Sequence, residues 1–116
     1  MDFSAAIVAH TRWKYRLVDY VEGRSAEKLD ADAIACDDRC DLGKWIHASR
    51  ALEASKTFVE LRTEHAAFHT CAAEVVRTRQ AGRVDDARKL LEITSPYVVH
   101  STAVVTLIKK LSEQIR

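Results

Sequence analysis

Apolar residues recur at helical spacing along most of this chain. Phe3, His10 and Leu17 stand seven residues apart with other apolar side chains beside them. This pattern predicts a first helix from about Phe3 to Glu22, ended by Gly23. His10 lies in the middle of that apolar stripe. The pattern weakens over residues 24–39, where we expect a connection with short helical pieces at 26–29 and 31–36.

The middle of the chain predicts a short helix followed by a long one. The short helix covers Gly43–Leu52. The long helix begins near Ser55 or Thr57, where Thr57-x-x-Glu60 forms a capping-box pattern, and continues to about Ala81. Its buried face is expected to hold Phe58, Leu61, His65, Phe68, Ala72 and Val75 or Val76.

Two further helices are predicted after Gly82. The first runs from Asp85 to about Ile93, and the second covers Pro96–Gln114 with Ser95 as its cap. Long helices with short joints predict an all-α fold, an antiparallel bundle of four main helices with additional short ones. We expect residues 1–116 to form one domain.

Charge and composition exclude several classes of function. Lys and Arg total 18 and Asp and Glu total 17, so the chain lacks the excess of positive charge that is typical of nucleic-acid-binding proteins. No apolar run approaches the ~20 residues that a membrane span requires. Three cysteines and no secretory leader predict a cytoplasmic protein with reduced thiols.

His65 and His69 are the first indication of a metal site. Their separation of four residues places both imidazoles on one helical face, one turn apart. That face is the apolar one, and buried imidazoles need partners. His10 lies in the apolar stripe of the first predicted helix and likewise needs a partner for its imidazole. Cys40, in a polar connection before a predicted helix, offers a thiolate. Three imidazoles and one thiolate suit Zn²⁺ better than Mg²⁺ or Ca²⁺.

Three segments carry a resemblance to a known family. They are His10-Thr-Arg-Trp13, Cys40-Asp-Leu-Gly-Lys-Trp45 and Phe58-x-x-Leu61-x-x-x-His65-x-x-Phe68-His69. In this order they resemble the chemoreceptor zinc-binding domain family, whose members are bacterial helical domains with a three-histidine, one-cysteine zinc site. The resemblance implies His10, Cys40, His65 and His69 as ligands of one Zn²⁺ per chain.

The resemblance also implies a role in signal transduction. Members of the family are attached to chemotaxis receptors or diguanylate cyclases, form homodimers and are described as sensors of zinc or of oxidants. Four protein ligands leave no open position on the metal, which argues for regulation and against an enzyme. Oxidation of the zinc-bound Cys40 thiolate would give the sensor a mechanism.

The remaining cysteines, histidines and neighbouring residues receive lesser roles. Trp13 and Trp45 are expected to pack around the metal ligands, and Asp38 and Asp41 could hydrogen-bond a ligand imidazole. We expect Cys36 to be a reduced bystander and Cys71 a small hydrophobe, since Cys71 points about 200° away from His69. His47 is expected to be exposed, and His100 receives no function.

Two alternative functions stay open. The first is a purely structural zinc site in a dimerisation module, which needs the same ligands and has no sensing role. The second is a di-iron, oxygen-binding bundle of the hemerythrin kind. That hypothesis requires more histidines and bridging carboxylates. His65-x-x-x-His69 has no matching His-x-x-x-Glu pattern on a facing helix.

Overall fold

The computed structural model describes residues 1–115, and these fold into six α-helices and one 3₁₀ helix. The helices are α1 (Phe3–Val21), α2 (Ala31–Ala35), α3 (Asp41–Ala48), α4 (Lys56–Gln80), α5 (Val84–Lys89) and α6 (Pro96–Gln114), and the 3₁₀ helix covers Arg50–Leu52. No strand occurs among the described residues. The predicted all-α class is therefore confirmed.

Polar residues fix where most of the helices begin. The side chains of Asp2, Asp30, Ser55 and Ser95 accept hydrogen bonds from backbone N–H groups in the first turns of α1, α2, α4 and α6. These N–H groups have no partner within their own helix. Gly23 and Gly82 follow α1 and α4 with positive φ angles of 74° and 79°. Glycine adopts this conformation without steric cost, so both helices end there.

Helix α4 lies at the centre and packs against α1, α2 and α6. Glu64 contacts His100, and Phe68 contacts Tyr97, so α4 and α6 run in opposite directions. The His10 ring lies on Phe68, and Arg79 donates a hydrogen bond to the backbone oxygen of Val21. These two contacts show that α1 runs in the same direction as α4. The long connection between the two helices therefore returns the chain to the end at which α1 begins.

The core is built on the predicted face of α4. Phe58, Leu61 and Phe68 are buried there and belong to one core cluster with Leu17 of α1 and Ile108 of α6. The connection 24–39 is held against the far half of α4, where the Gln80 side chain donates to the backbone oxygen of Leu29. This attachment brings α2 and the residues after it over the middle of α4.

Several predicted boundaries differ from the observed ones. Residues 26–29 are not helical, and the predicted helix 43–52 is divided into α3 and the 3₁₀ helix. Ser55, not Thr57, caps α4. Helix α5 stops at Lys89, four residues before the predicted end. The antiparallel four-helix arrangement is not confirmed, since only α1, α4 and α6 are long among the described residues. No helix in residues 1–115 combines the length and apolarity needed to cross a bilayer.

Candidate metal centre

His65 and His69 face the interior from one side of α4. Their side chains are 1% and 4% exposed, as expected from their position on the apolar stripe. The two Nε2 atoms lie 3.1 Å apart. Two imidazole nitrogens this close, one turn apart on a helix, can bind the same cation.

Cys40 brings a sulfur atom to the same point. Its Sγ lies 3.3 Å from Nε2 of His65 and 3.6 Å from Nε2 of His69. The sulfur comes from the start of α3, 25 and 29 residues away in sequence from the two histidines. The fold therefore assembles a cysteine and two histidines into one cluster.

The spacing of these three donor atoms fits a zinc ion. In a tetrahedral site with typical zinc bond lengths, sulfur and nitrogen ligands are about 3.5–3.6 Å apart and two nitrogen ligands about 3.3–3.4 Å apart. The three observed separations, 3.3, 3.6 and 3.1 Å, lie close to these values. Small side-chain movements would place all three atoms at bonding distance from one ion.

His69 is held in a tautomer suited to metal binding. Its Nδ1 lies 2.7 Å from the backbone oxygen of Ile34 in α2, and a carbonyl oxygen can only accept, so Nδ1 carries the hydrogen. The lone pair is then on Nε2, which points at Cys40 and His65. Such a partner on the far ring nitrogen is typical of histidine ligands. His65 has no such partner, since its Nδ1 is buried without a hydrogen bond in the described residues.

The sulfur of Cys40 is placed by helix capping. Cys40 is the N-cap residue of α3, and its Sγ accepts a hydrogen bond of 3.3 Å from the backbone N–H of Gly43. A helix N-terminus favours negative charge, so this position suits a thiolate. Gly43 is also closely packed, because a Cβ there would lie 1.7 Å from the backbone oxygen of Asp37.

His10 is near the cluster but not within it. The ring is 6% exposed and lies on Phe68, with the two ring centroids 4.2 Å apart. Its Nε2 is 2.9 Å from Oγ of Ser101 in α6. In the described part of the chain, His10 Nδ1 makes no hydrogen bond, and His10 lines the same cavity as Cys40, His65 and His69. The structure thus brings three of the four predicted ligands together and leaves the fourth beside them.

Burial controls the protonation of these groups in the metal-free protein. It lowers the pKa of His10 to about 4, against the opposing effect of the Ser101 hydrogen bond. Burial, with a smaller contribution from His69, lowers the pKa of His65 to about 3. Burial also lowers the pKa of His69 and raises that of the Cys40 thiol. The imidazoles are therefore neutral and ready to bind a cation, whereas Cys40 must release a proton to do so.

A cavity of about 700 Å³ gives access to the cluster. It is bounded by α1, the segment before α3, and α4. Cys40 is half-buried on its wall, whereas His65 and His69 are buried. A small solute entering this cavity would reach the sulfur atom without the core opening.

The predicted neighbours of the ligands divide into two groups. Trp13 lines the cavity, and Trp45 packs edge-on against Phe58 with the ring centroids 5.9 Å apart. Asp38 and Asp41 are exposed. Within residues 1–115, the partners of the site histidines outside the cluster are instead the backbone oxygen of Ile34, which accepts from His69, and Oγ of Ser101, which contacts His10.

The other cysteines and histidines lie outside the cluster. Cys36 and Cys71 are half-buried free thiols, and Cys36 Sγ donates to the backbone oxygen of Asp32. His47 is exposed and pairs with Asp37. His100 Nδ1 lies 2.5 Å from a carboxylate oxygen of Glu64 on α4. The expectation that His47 is exposed is confirmed.

Sequence reasoning missed the two partners of the site histidines. The partner of His69 is the backbone oxygen of Ile34, and every residue has such an oxygen, so the sequence could not predict this contact. Ser101 stands on the helical face of Tyr97, Val104 and Ile108, where a small polar residue among buried apolar ones was the available signal.

A comparison with known protein families matches residues 10–76 to the chemoreceptor zinc-binding domain. The matched residues cover more than half of the chain and contain His10, Cys40, His65 and His69. No curated protein and no solved structure matches the chain significantly.

Proposed function

Because this chain belongs to the chemoreceptor zinc-binding domain family, we propose that it is a zinc-binding regulatory domain of bacterial signal transduction. The observation that carries the proposal is the convergence of Cys40 Sγ and the Nε2 atoms of His65 and His69 within 3.6 Å of one another. A thiolate and imidazoles at these distances, in a buried site, are the donor set of a zinc centre.

The proposed ligand set for one Zn²⁺ per chain is His10, Cys40, His65 and His69. His10 is proposed as the fourth member because it is buried, lines the same cavity and has one ring nitrogen without a hydrogen bond to any residue in 1–115. When bound, zinc would hold the Cys40 sulfur as a thiolate. Four protein ligands leave no position for a reacting water, which supports regulation over catalysis.

The signal proposed for this site is an oxidant or a change in zinc availability. Cys40 is the ligand that supports the first, since it is the half-buried member of the cluster and borders the cavity. In the reaction with hypochlorous acid, the thiolate forms an S–O bond as the O–Cl bond breaks, which gives sulfenic acid and chloride. Sulfur loses the two electrons that chlorine gains. Cys40 then no longer supplies an anionic ligand, and the start of α3 is released.

A di-iron centre has less support than zinc. Such a site requires bridging carboxylates from facing helices. The cluster found in the described residues contains one cysteine and two histidines and no carboxylate.

We also propose that the domain works as a cytoplasmic homodimer coupled to a chemotaxis receptor or a diguanylate cyclase, in the same chain or a separate one. Val8 and Tyr15 support a pairing surface on α1, because they are exposed apolar side chains two turns apart on one face. Light scattering coupled to size-exclusion chromatography tests this point, and a monomer at every concentration would contradict it.

Metal analysis of the purified protein tests the zinc site. We expect one zinc per chain in the wild type, and little zinc in Cys40→Ala and His69→Ala. Cys71→Ala and His47→Ala serve as matched controls because both residues lie outside the cluster, and they should retain the metal. Absence of zinc binding by the wild type, or full occupancy in a double variant lacking Cys40 and His69, would refute the proposal.

A further inference from the structure

Ser101 connects the last helix of the domain to the candidate metal site. Its Oγ lies 2.9 Å from Nε2 of His10, and the two residues are 91 positions apart in sequence. Ser101 is on α6, outside the residues 10–76 matched to the family. The contact therefore belongs to a part of the chain whose role the family match leaves open.

The contact occupies Nε2 of His10 and leaves the other ring nitrogen for a cation. A serine hydroxyl can donate or accept, and a metal at the free nitrogen requires the tautomer in which Nε2–H donates to Oγ of Ser101 and the lone pair lies on Nδ1. That nitrogen makes no hydrogen bond in the described residues, and His10 lines the cavity shared with Cys40, His65 and His69. The ring of Phe68 packs on the His10 imidazole, with the two centroids 4.2 Å apart, and limits the rotation of that imidazole.

His69 shows the same arrangement within this site. Its Nδ1 is hydrogen-bonded to the backbone oxygen of Ile34, and its Nε2 points into the cluster. In both histidines one ring nitrogen is held by the protein. A partner of this kind fixes the tautomer and ring orientation of a metal-binding histidine.

We propose that Ser101 is a positioning residue that holds His10 by Nε2 so that Nδ1 is presented to the metal. This inference rests on the proposed zinc site and adds a physical link between that site and α6. Because Ser101 would stay bonded to a ligand of the metal, occupancy of the site would restrain α6 through a single side-chain contact.

Zinc affinity in a double-mutant cycle tests the proposal. Kd is measured by competition with a chromophoric chelator for the wild type, Ser101→Ala, His10→Ala and the double variant. We expect Ser101→Ala to raise Kd about 10-fold or more, and to have no further effect when His10 is already alanine. Thr102→Ala is the matched control, since Thr102 is the next residue on α6 and is exposed.

Two further measurements separate positioning from a structural effect. Metal-free Ser101→Ala should keep the fold and lose only the few degrees of Tm that removal of one hydrogen bond costs. With Co²⁺ as the probe, its visible absorption bands should shift toward those of His10→Ala, because both changes disturb the same ligand.

Three results would overturn the inference. They are an unchanged Kd in Ser101→Ala, a lower Kd, which would mean that Ser101 competes with the metal for Nε2, and a loss of affinity that persists in the His10→Ala background. In each case the wild type still binds zinc, so the proposed function survives. Failure of the wild type to bind zinc would overturn both.

Discussion

The backbone N–H of Gly43 donates a hydrogen bond to Sγ of Cys40, over a distance of 3.3 Å. The same glycine packs against the backbone of Asp37 so closely that no side chain fits there. Gly43 thus has two effects on the sulfur atom. It lets the segment before α3 lie against the first turn of the helix, and it supplies a donor to the capping cysteine.

Replacing Gly43 by alanine should therefore displace Cys40. The new Cβ would lie 1.7 Å from the backbone oxygen of Asp37, and backbone cannot move aside as cheaply as a flexible side chain. We expect Gly43→Ala to lose most of its zinc and to destabilise the fold by about 1–3 kcal/mol, the usual cost of overpacking. Zinc content and urea unfolding of the same preparation measure both effects.

Gly23→Ala provides the control for this prediction. Gly23 has a positive φ of 74°, but a Cβ there would meet nothing within 4 Å. The variant should lose about 1–2 kcal/mol of stability through backbone strain and keep its zinc. Equal zinc content in the Gly43 and Gly23 variants would show that the close packing of Gly43 does not position the sulfur.

Removal of zinc should lower the thermal stability of the protein. The proposed ligands come from α1, α4 and the start of α3, so a bound ion would join three segments. At a free zinc concentration of 100 times Kd, binding stabilises the folded state by about 2.7 kcal/mol, which corresponds to a shift in Tm on the order of 10 °C for a domain of this size. Differential scanning calorimetry with and without a chelator measures it.

The same calorimetry on Cys40→Ala and Cys71→Ala locates the effect. The chelator should have little effect on the Tm of Cys40→Ala and a wild-type effect on Cys71→Ala, because only Cys40 lies in the cluster. A chelator-dependent Tm in both variants would place the stabilising ion elsewhere in the protein.

Stability of the metal-free protein should fall in acid. The pKa of His10 is lowered from 6.5 to about 4 and that of His65 to about 3, so the unfolded chain binds more protons than the folded one below pH 6.5. The contribution is fully present above pH 6.5 and is lost as the pH falls toward 4. Each histidine adds a slope of about 1.4 kcal/mol per pH unit within that window.

Urea unfolding between pH 4 and 8 in the presence of a chelator checks this expectation. His10→Leu keeps the site apolar and removes one titrating group, so its stability should depend less steeply on pH below 6.5. An identical slope in the wild type and in this variant would show that His10 is not buried in a neutral form.

Local patterns predicted much of the fold and part of the site. The start of α6 was predicted from Ser95 and Pro96, because a cap and a proline at the first helical position define a helix start. His65 and His69 were predicted to share a face from their spacing, and the structure confirms it. Both predictions concern interactions within one helix, where sequence spacing determines geometry.

Contacts between distant segments could not be predicted in the same way. The sequence placed Cys40 in a connection but did not identify it as the cap of α3, since cysteine is not a common capping residue. The partners Ile34 and Ser101 depend on how α2 and α6 pack on α4. The parallel course of α1 and α4 depends on the path of the long connection, which has a weak residue pattern.

Oxidation should release zinc through Cys40 and through no other cysteine. Cys40 borders the cavity, and in the metal-bound protein its sulfur would be a thiolate, the form that reacts with hypochlorous acid. We expect about one equivalent of oxidant to release most of the zinc from the wild type, detected by a chromophoric chelator, and a thiol reductant to restore binding.

The control separates Cys40 from the other two thiols, which are also half-buried. A Cys36→Ser, Cys71→Ser double variant leaves Cys40 as the single thiol and should release zinc as the wild type does. If this variant keeps its zinc while the wild type loses it, the reactive sulfur is Cys36 or Cys71, and oxidation then acts by disturbing the packing around α2 or α4 instead of removing a ligand. Mass spectrometry of the oxidised protein identifies the modified residue and decides between these two mechanisms.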